Sequence, residues 1–157
     1  MCSMKLCFIN YGNNVHSERW LDFFVERGHE VHSITDQTGP NLPGVSCHSW
    51  VPVSRLPKLG TVQAAHCVRR IMGRIQPDLV HAIVAGTPGL LGALSGHHPF
   101  VISVLGSDVL SSAGAYDRWL DRVLKPLALR QADLIIAQSN NLLGAIQRFG
   151  LEKVPQR

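Results

Sequence analysis

The sequence predicts an α/β protein of Rossmann-like type, a three-layer α/β/α arrangement around a mainly parallel sheet. Three observations carry that prediction. Short apolar runs alternate along the chain with longer segments of helical period, as expected of successive βαβ units. Two of these runs, Leu79 to Val84 and Phe100 to Leu105, are apolar at almost every position and are bounded by Pro77-Asp78, Gly86, Pro99 and Gly106. Continuous runs of that kind suit strands covered on both faces. The segment between them is helical and supplies the crossover that parallel strands require.

Taken in order, Met4 to Asn10 is the first strand and ends in the polar turn Tyr11-Gly12-Asn13-Asn14. A helix over Val15 to Arg27 follows, with Asn14 as its N-cap and Gly28 as the residue that ends it. Trp20, Phe23 and Phe24 recur at i, i+3 and i+4 and are expected to face the sheet. Glu30 to Ile34 is the second strand and completes a Rossmann-like opening. Backbone N–H groups at the start of that first helix suit an anion. With Gly12 alone, however, the turn lacks the G-x-G-x-x-G of dinucleotide sites, and no G-x-x-x-x-G-K-[ST] occurs anywhere.

Asp36 to Gly44 is a loop, and a third strand lies within Val45 to Val53. Leu59 to Ile75 is helical, with Val62, Ala65, Val68, Met72 and Ile75 as its apolar stripe. Lys58, Arg69, Arg70 and Arg74 form its other face, which is either a solvated surface or a contact for an anionic membrane or lipid phosphate. Gly89, Gly92 and Gly96 share one face of the next helix. Such a face admits close contact with the sheet or with a ligand, at a propensity cost of ~1 kcal/mol per glycine. Beyond the Ser111 to Gly114 loop come a helix over Tyr116 to Gln131, a strand over Ala132 to Ala137 and a helix over Asn140 to Phe149.

A chain of 157 residues suits one domain with a core of its own. Hydrophobic residues make up 45% and charged residues 17%, as in a globular protein with a full core. No apolar stretch reaches the ~18 residues of a membrane span. The opening MCSMKLCFIN reads as a strand rather than a signal peptide. The four cysteines form no C-x-x-C pair, so reduced thiols are expected, with neither a disulfide framework nor a metal site. The net charge of +4, without a basic run of five, favours anionic partners such as nucleotides, phospholipid headgroups or nucleic acid only weakly, and an aromatic content of 6% gives no stacking platform for single-stranded nucleic acid.

Ligands of open α/β sheets lie beyond the carboxyl ends of the strands. His81, the Ala85-Gly86-Thr87 turn and Gly106-Ser107-Asp108 all fall at or near such ends.

The segments KLCFINYGNNVHSERW, PDLVHAIVAGTPGLLGALSG, HPFVISVLGSDVL and ADLIIAQSNNL, in that order and spacing, resemble the amino-terminal domain of glycosyltransferase family 4. The resemblance covers nearly the whole chain. It implies one half of a GT-B fold, in which two Rossmann-like domains face each other across a cleft. It implies transfer of a sugar from a nucleotide-sugar donor to a carbohydrate or lipid-linked acceptor, retaining and metal-independent, with no cofactor. Residues 1–150 would then be the acceptor-side domain and 151–157 the start of an interdomain linker. The carboxy-terminal donor-binding domain would be the missing partner. A cytoplasmic place is implied, with peripheral contact at the inner face of the membrane as an option.

By position in the resemblance, Gly12, Asn13, Asn14 and His16 approach the donor diphosphate. Gly86, Thr87, Gly106 and Ser107 line the cleft. Asp108 either accepts a hydrogen bond from an acceptor hydroxyl or fixes its loop, and His81 is either a catalytic group or a satisfied core histidine. Two departures stand out. The family's His-Ala-His is His81-Ala82-Ile83 here, and Leu105 precedes Gly106 where histidine or tryptophan is common. Isoleucine can neither donate a hydrogen bond nor move a proton. His81 is expected to face away from Ile83 across the strand. The alternatives are a non-catalytic α/β ligand-binding domain and half of a sugar-nucleotide epimerase-like enzyme.

Overall fold

The computed structural model describes residues 2–12, 15–36, 42–51, 57–106 and 115–147. Within them the chain runs β1 (Lys5–Asn10), α1 (Val15–Val25), β2 (Glu30–Thr35), β3 (Val45–Ser49), α2 (Pro57–Ile75) and β4 (Leu79–Ile83). It continues through α3 (Thr87–Ser95), β5 (Phe100–Val104), α4 (Ala115–Arg130), β6 (Leu134–Ala137) and α5 (Asn140–Gln147). The sheet order is β3-β2-β1-β4-β5-β6 and every pairing is parallel. This is the predicted Rossmann-like α/β fold. The order reverses between β1 and β4, the switch point where such sheets open a crevice at their carboxyl end.

Burial follows strand position. All five residues of β5 are buried, and β1 and β4 each have only their first residue partly exposed. β3, at one edge, has none buried. Two apolar clusters flank the sheet. One joins Cys7, Ile9, Val80, Ala82 and Ile102 to Val68 and Met72 of α2 and Leu91 of α3. The other joins Leu6, Phe8, Val31 and Ile83 to Leu21 of α1, with Trp20 and Phe24 against it.

Three expectations are corrected. Phe23 is 45% exposed, and the Arg27 guanidinium lies 3.4 Å from its ring centroid. At about 100° per residue, Ser17, Leu21 and Phe24 share the inward face of α1 and Phe23 turns off it. Val62 is 67% exposed, and Ala64 leads the buried row Val68, Met72 and Ile75 of α2 instead. Gly96 has φ +68 and its N–H donates to the Ala93 carbonyl, so it ends α3 rather than extending the glycine face. Gly89 and Gly92 do lie close to neighbouring atoms of the sheet side. Arg69, Arg70 and Arg74 are exposed. The Asn14 cap, the Ser111 to Gly114 loop and the linker at 151–157 lie outside the described residues. Among those described, no helix is long and apolar enough to cross a membrane.

Candidate functional site

The carboxyl ends of β1, β4 and β5 bring several predicted positions to one edge of the sheet. Gly12 follows β1, and its N–H donates to Asp36 Oδ1 at 2.9 Å. Asp36 follows β2 directly, so β1 and β2 are tied together at their ends. His16 lies in the first turn of α1 and is exposed. Gly86 is the residue before α3, which lacks a side-chain cap and carries proline in its first turn. Thr87 opens that helix, whose first-turn N–H groups have no partner within the helix itself. The Tyr11 hydroxyl lies 3.3 Å from the place a Cβ would take on Gly86. The β1 and β4 ends therefore meet over a glycine, across the switch point. Gly106, buried after β5, has φ +135, which only glycine adopts readily. Asn13, Asn14, Ser107 and Asp108 lie outside the described residues.

Val84 bridges β4 to this edge. Its φ is +91, outside the range a β-branched residue normally takes. The turn is held on one side by the Val84 N–H donating to the Ser103 carbonyl at 2.9 Å. On the other side its carbonyl oxygen lies 3.2 Å from where a Cβ on Gly89 would sit. Strained backbone of this kind costs about 1–3 kcal/mol and persists where its surroundings fix it.

His81 lies deeper. It is 3% exposed, and its Nε2 shares a 2.8 Å hydrogen bond with Ser103 Oγ. Its ring stands 5.3 Å from that of Phe8 and edge-on to Trp20 at 5.0 Å. Burial pushes its pKa down to about 4, so the imidazole is neutral near pH 7. His81 and Ile83 face the same side of the sheet, toward α1, because residues two apart in a strand share a face. That corrects the expectation that they diverge.

Two polar residues escaped the sequence reading. Asn10, the last residue of β1, is 0% exposed and accepts a 2.9 Å hydrogen bond from Ser33 Oγ. Asp36 had a usable signal: an acidic residue just after the second strand, 24 positions from Gly12. Acidic groups at the end of a second strand commonly serve ribose hydroxyls in Rossmann folds. Here Asp36 meets the loop instead. Among the described residues no group of three or more His, Cys, Asp or Glu side chains converges on a cation.

A family model described as "Glycosyl transferase 4-like" matches residues 5–139. No curated protein matches the sequence. Among solved structures, sucrose-phosphate synthase from Thermosynechococcus elongatus aligns with a TM-score of 0.75 at 13% identity, over 98% of this chain and 47% of that one. UDP-GlcNAc 2-epimerase from Methanocaldococcus jannaschii gives 0.65 at 14% identity, over 98% and 45%. MurG from Acinetobacter baumannii gives 0.53 at 19% identity, over 87% and 42%. Likeness at these identities is likeness of fold. The chain spans less than half the length of each of these three proteins.

Proposed function

We propose, from the premise that the chain belongs to the glycosyl transferase 4-like family, that it is the acceptor-side half of an enzyme moving a sugar from a nucleotide-sugar to an acceptor. The observation that carries this reading is the convergence of Gly12, Gly86, Thr87 and Gly106 at the ends of three neighbouring strands. Glycine at such positions lets a ligand approach the backbone, and amides at the starts of α1 and α3 suit phosphate oxygens. The chemistry asked of such a surface is electrostatic. Fixed N–H donors in a closed cleft stabilise the charge on a departing nucleoside diphosphate.

In this reading His81 is a positioning residue that ties β4 to β5 beneath α1, since its ring is buried and neutral. Gly12, Asn13, Asn14 and His16 face the donor, with Ser107 beside Gly106. Asp108 holds its loop or an acceptor hydroxyl, and its replacement by alanine in a two-domain enzyme is expected to lower turnover. The reaction is retaining and metal-independent, and a second domain supplies most of the donor contacts. A cytoplasmic location, with Arg69, Arg70 and Arg74 turned toward an anionic bilayer, belongs to the same proposal.

Ile83 favours a second reading. It is 1% exposed where the resemblance expects the family's second histidine, so the position offers no proton to a sugar. That suits a binding domain that has lost catalysis. Titration of UDP- and GDP-sugars into the ¹⁵N-labelled chain tests the site, with weak, unsaturated shifts expected at the amides of Gly12, Thr87 and Gly106. Shifts confined to other residues would remove this edge from the reading. Rapid sugar transfer by the 157-residue chain alone would remove the half-enzyme description.

A further inference from the structure

The far rim of the sheet carries a second cluster, remote from the switch point. Parallel register sets His32 beside Ser46 and Ile34 beside His48, so His32 and His48 are diagonal neighbours on one face of β2 and β3. His32 Nδ1 and His48 Nε2 are 3.2 Å apart, and the two rings lie 5.4 Å apart with 29° between their planes. On its other side His32 Nε2 meets Glu30 Oε1 at 2.9 Å, and Lys5 Nζ lies 3.4 Å from the same oxygen.

The proton positions follow from the chemistry of the partners. Glu30 is half exposed, and like any solvated carboxylate near neutral pH it only accepts hydrogen bonds. In its neutral form an imidazole facing a carboxylate carries its proton on Nε2, which leaves a lone pair on Nδ1. With His32 in that form, His48 donates from Nε2 to the lone pair.

We propose that His32 Nδ1 and His48 Nε2 form a two-imidazole site for a divalent transition ion such as Zn²⁺, clamping the edge strand β3 to β2. Two nitrogens held about 2.0–2.1 Å from a tetrahedral zinc stand about 3.3 Å apart, which the pair already matches. Neutral imidazole is the ligand such ions take. Glu30 completes the arrangement in which a carboxylate on the far nitrogen fixes the tautomer and orientation of a metal-binding histidine. Binding to that neutral pair moves the His48 proton from Nε2 to Nδ1 of the same ring, so no proton is released. Water fills the other positions, because two side chains are all the described cluster supplies. His29, His97 and His98 each stand singly, engaged by the Met4 N–H, the Pro77 carbonyl and Asp133.

The test is calorimetric titration of the 157-residue chain with zinc chloride, alongside thermal melting with and without zinc. One equivalent is expected, with a rise in melting temperature. Both should vanish in His48→Gln, whose amide can still donate to His32 Nδ1 and so preserves the structural contact. His66→Gln, on the exposed side of α2, should leave both intact. Glu30→Gln should weaken binding about tenfold or more. A wild-type chain that takes up no zinc, or a His48→Gln chain that keeps its equivalent, overturns the site. Unchanged affinity in Glu30→Gln overturns the part given to Glu30.

Discussion

Replacing Gly92 with alanine should loosen the fold, although alanine is the better helix former. A Cβ there falls 2.4 Å from Cε2 and 2.6 Å from Cζ of Phe100, and 3.4 Å from Cδ1 of Ile9. Phe100 is 1% and Ile9 0% exposed, so neither can swing into solvent. Relief has to come from lifting α3 off the sheet or from pushing the Phe100 ring off its rotamer. Overpacking of this kind costs about 1–3 kcal/mol. Gly→Ala in a helix returns about 0.5–1 kcal/mol. The balance is a net loss on the order of 1 kcal/mol, a fall of roughly 2–4 °C in Tm for a chain of this length. Gly73→Ala and Gly144→Ala are the controls. Both sit in helices with nothing within 4 Å of an added Cβ, so only the propensity gain acts and Tm should rise slightly. Thermal melts of the three variants decide the matter. A Gly92→Ala protein melting at or above wild type would refute the claim that this glycine sets the distance between α3 and the sheet.

Acid should destabilise the protein through His81, whose folded pKa is pushed from 6.5 down to about 4 by burial. Between those values the unfolded chain binds the proton and the folded one does not, so stability falls as pH is lowered through that window. Tm should drop between pH 7 and pH 4.5, and drop less in His81→Gln; equal slopes would acquit His81. Asp36→Ala should speed hydrogen exchange of the Gly12 amide, whereas Asp36→Asn, which keeps an acceptor oxygen, should not; equal exchange in both would mean that the 2.9 Å contact does not hold the loop. Asp133→Ala removes the acceptor for the Phe100 N–H at 2.6 Å and for His98 at 2.7 Å. Leaving that partly buried amide unpaired should cost about 1–3 kcal/mol in denaturant unfolding, and Asp133→Asn should recover most of it.

The fold was legible because the central strands obey the rule that both faces are covered. Leu79 to Ile83 and Phe100 to Val104 admit little that is polar, and the glycine and proline punctuation around them marks their ends. Helix faces were less legible. Phe23 and Val62 are apolar enough to suggest burial, yet the angle at which each helix meets the sheet hands the inward places to Leu21 and Ala64. That angle is a tertiary property, invisible to a count of residue types. Gly96 fitted a spacing rule and served a different need, ending the helix in the left-handed region. At the candidate site, glycines at strand ends could be anticipated because few other residues suit such turns. The Gly12 to Asp36 contact could not be, since it depends on two strand ends lying side by side.

The turn after β4 also bears on how this sequence can change. Val84 holds an unfavourable φ while its carbonyl crowds the side-chain position of residue 89. Alanine at 89 would press on a backbone oxygen that cannot retreat without moving a turn already under tension. Glycine at 84 would release that tension and give the oxygen somewhere to go. The two positions are therefore unequal as first steps: 84 can change before 89, but the reverse route passes through a disfavoured intermediate. Sequences drifting from this one should record that asymmetry, with a larger residue at 89 found in company with a relaxed residue at 84.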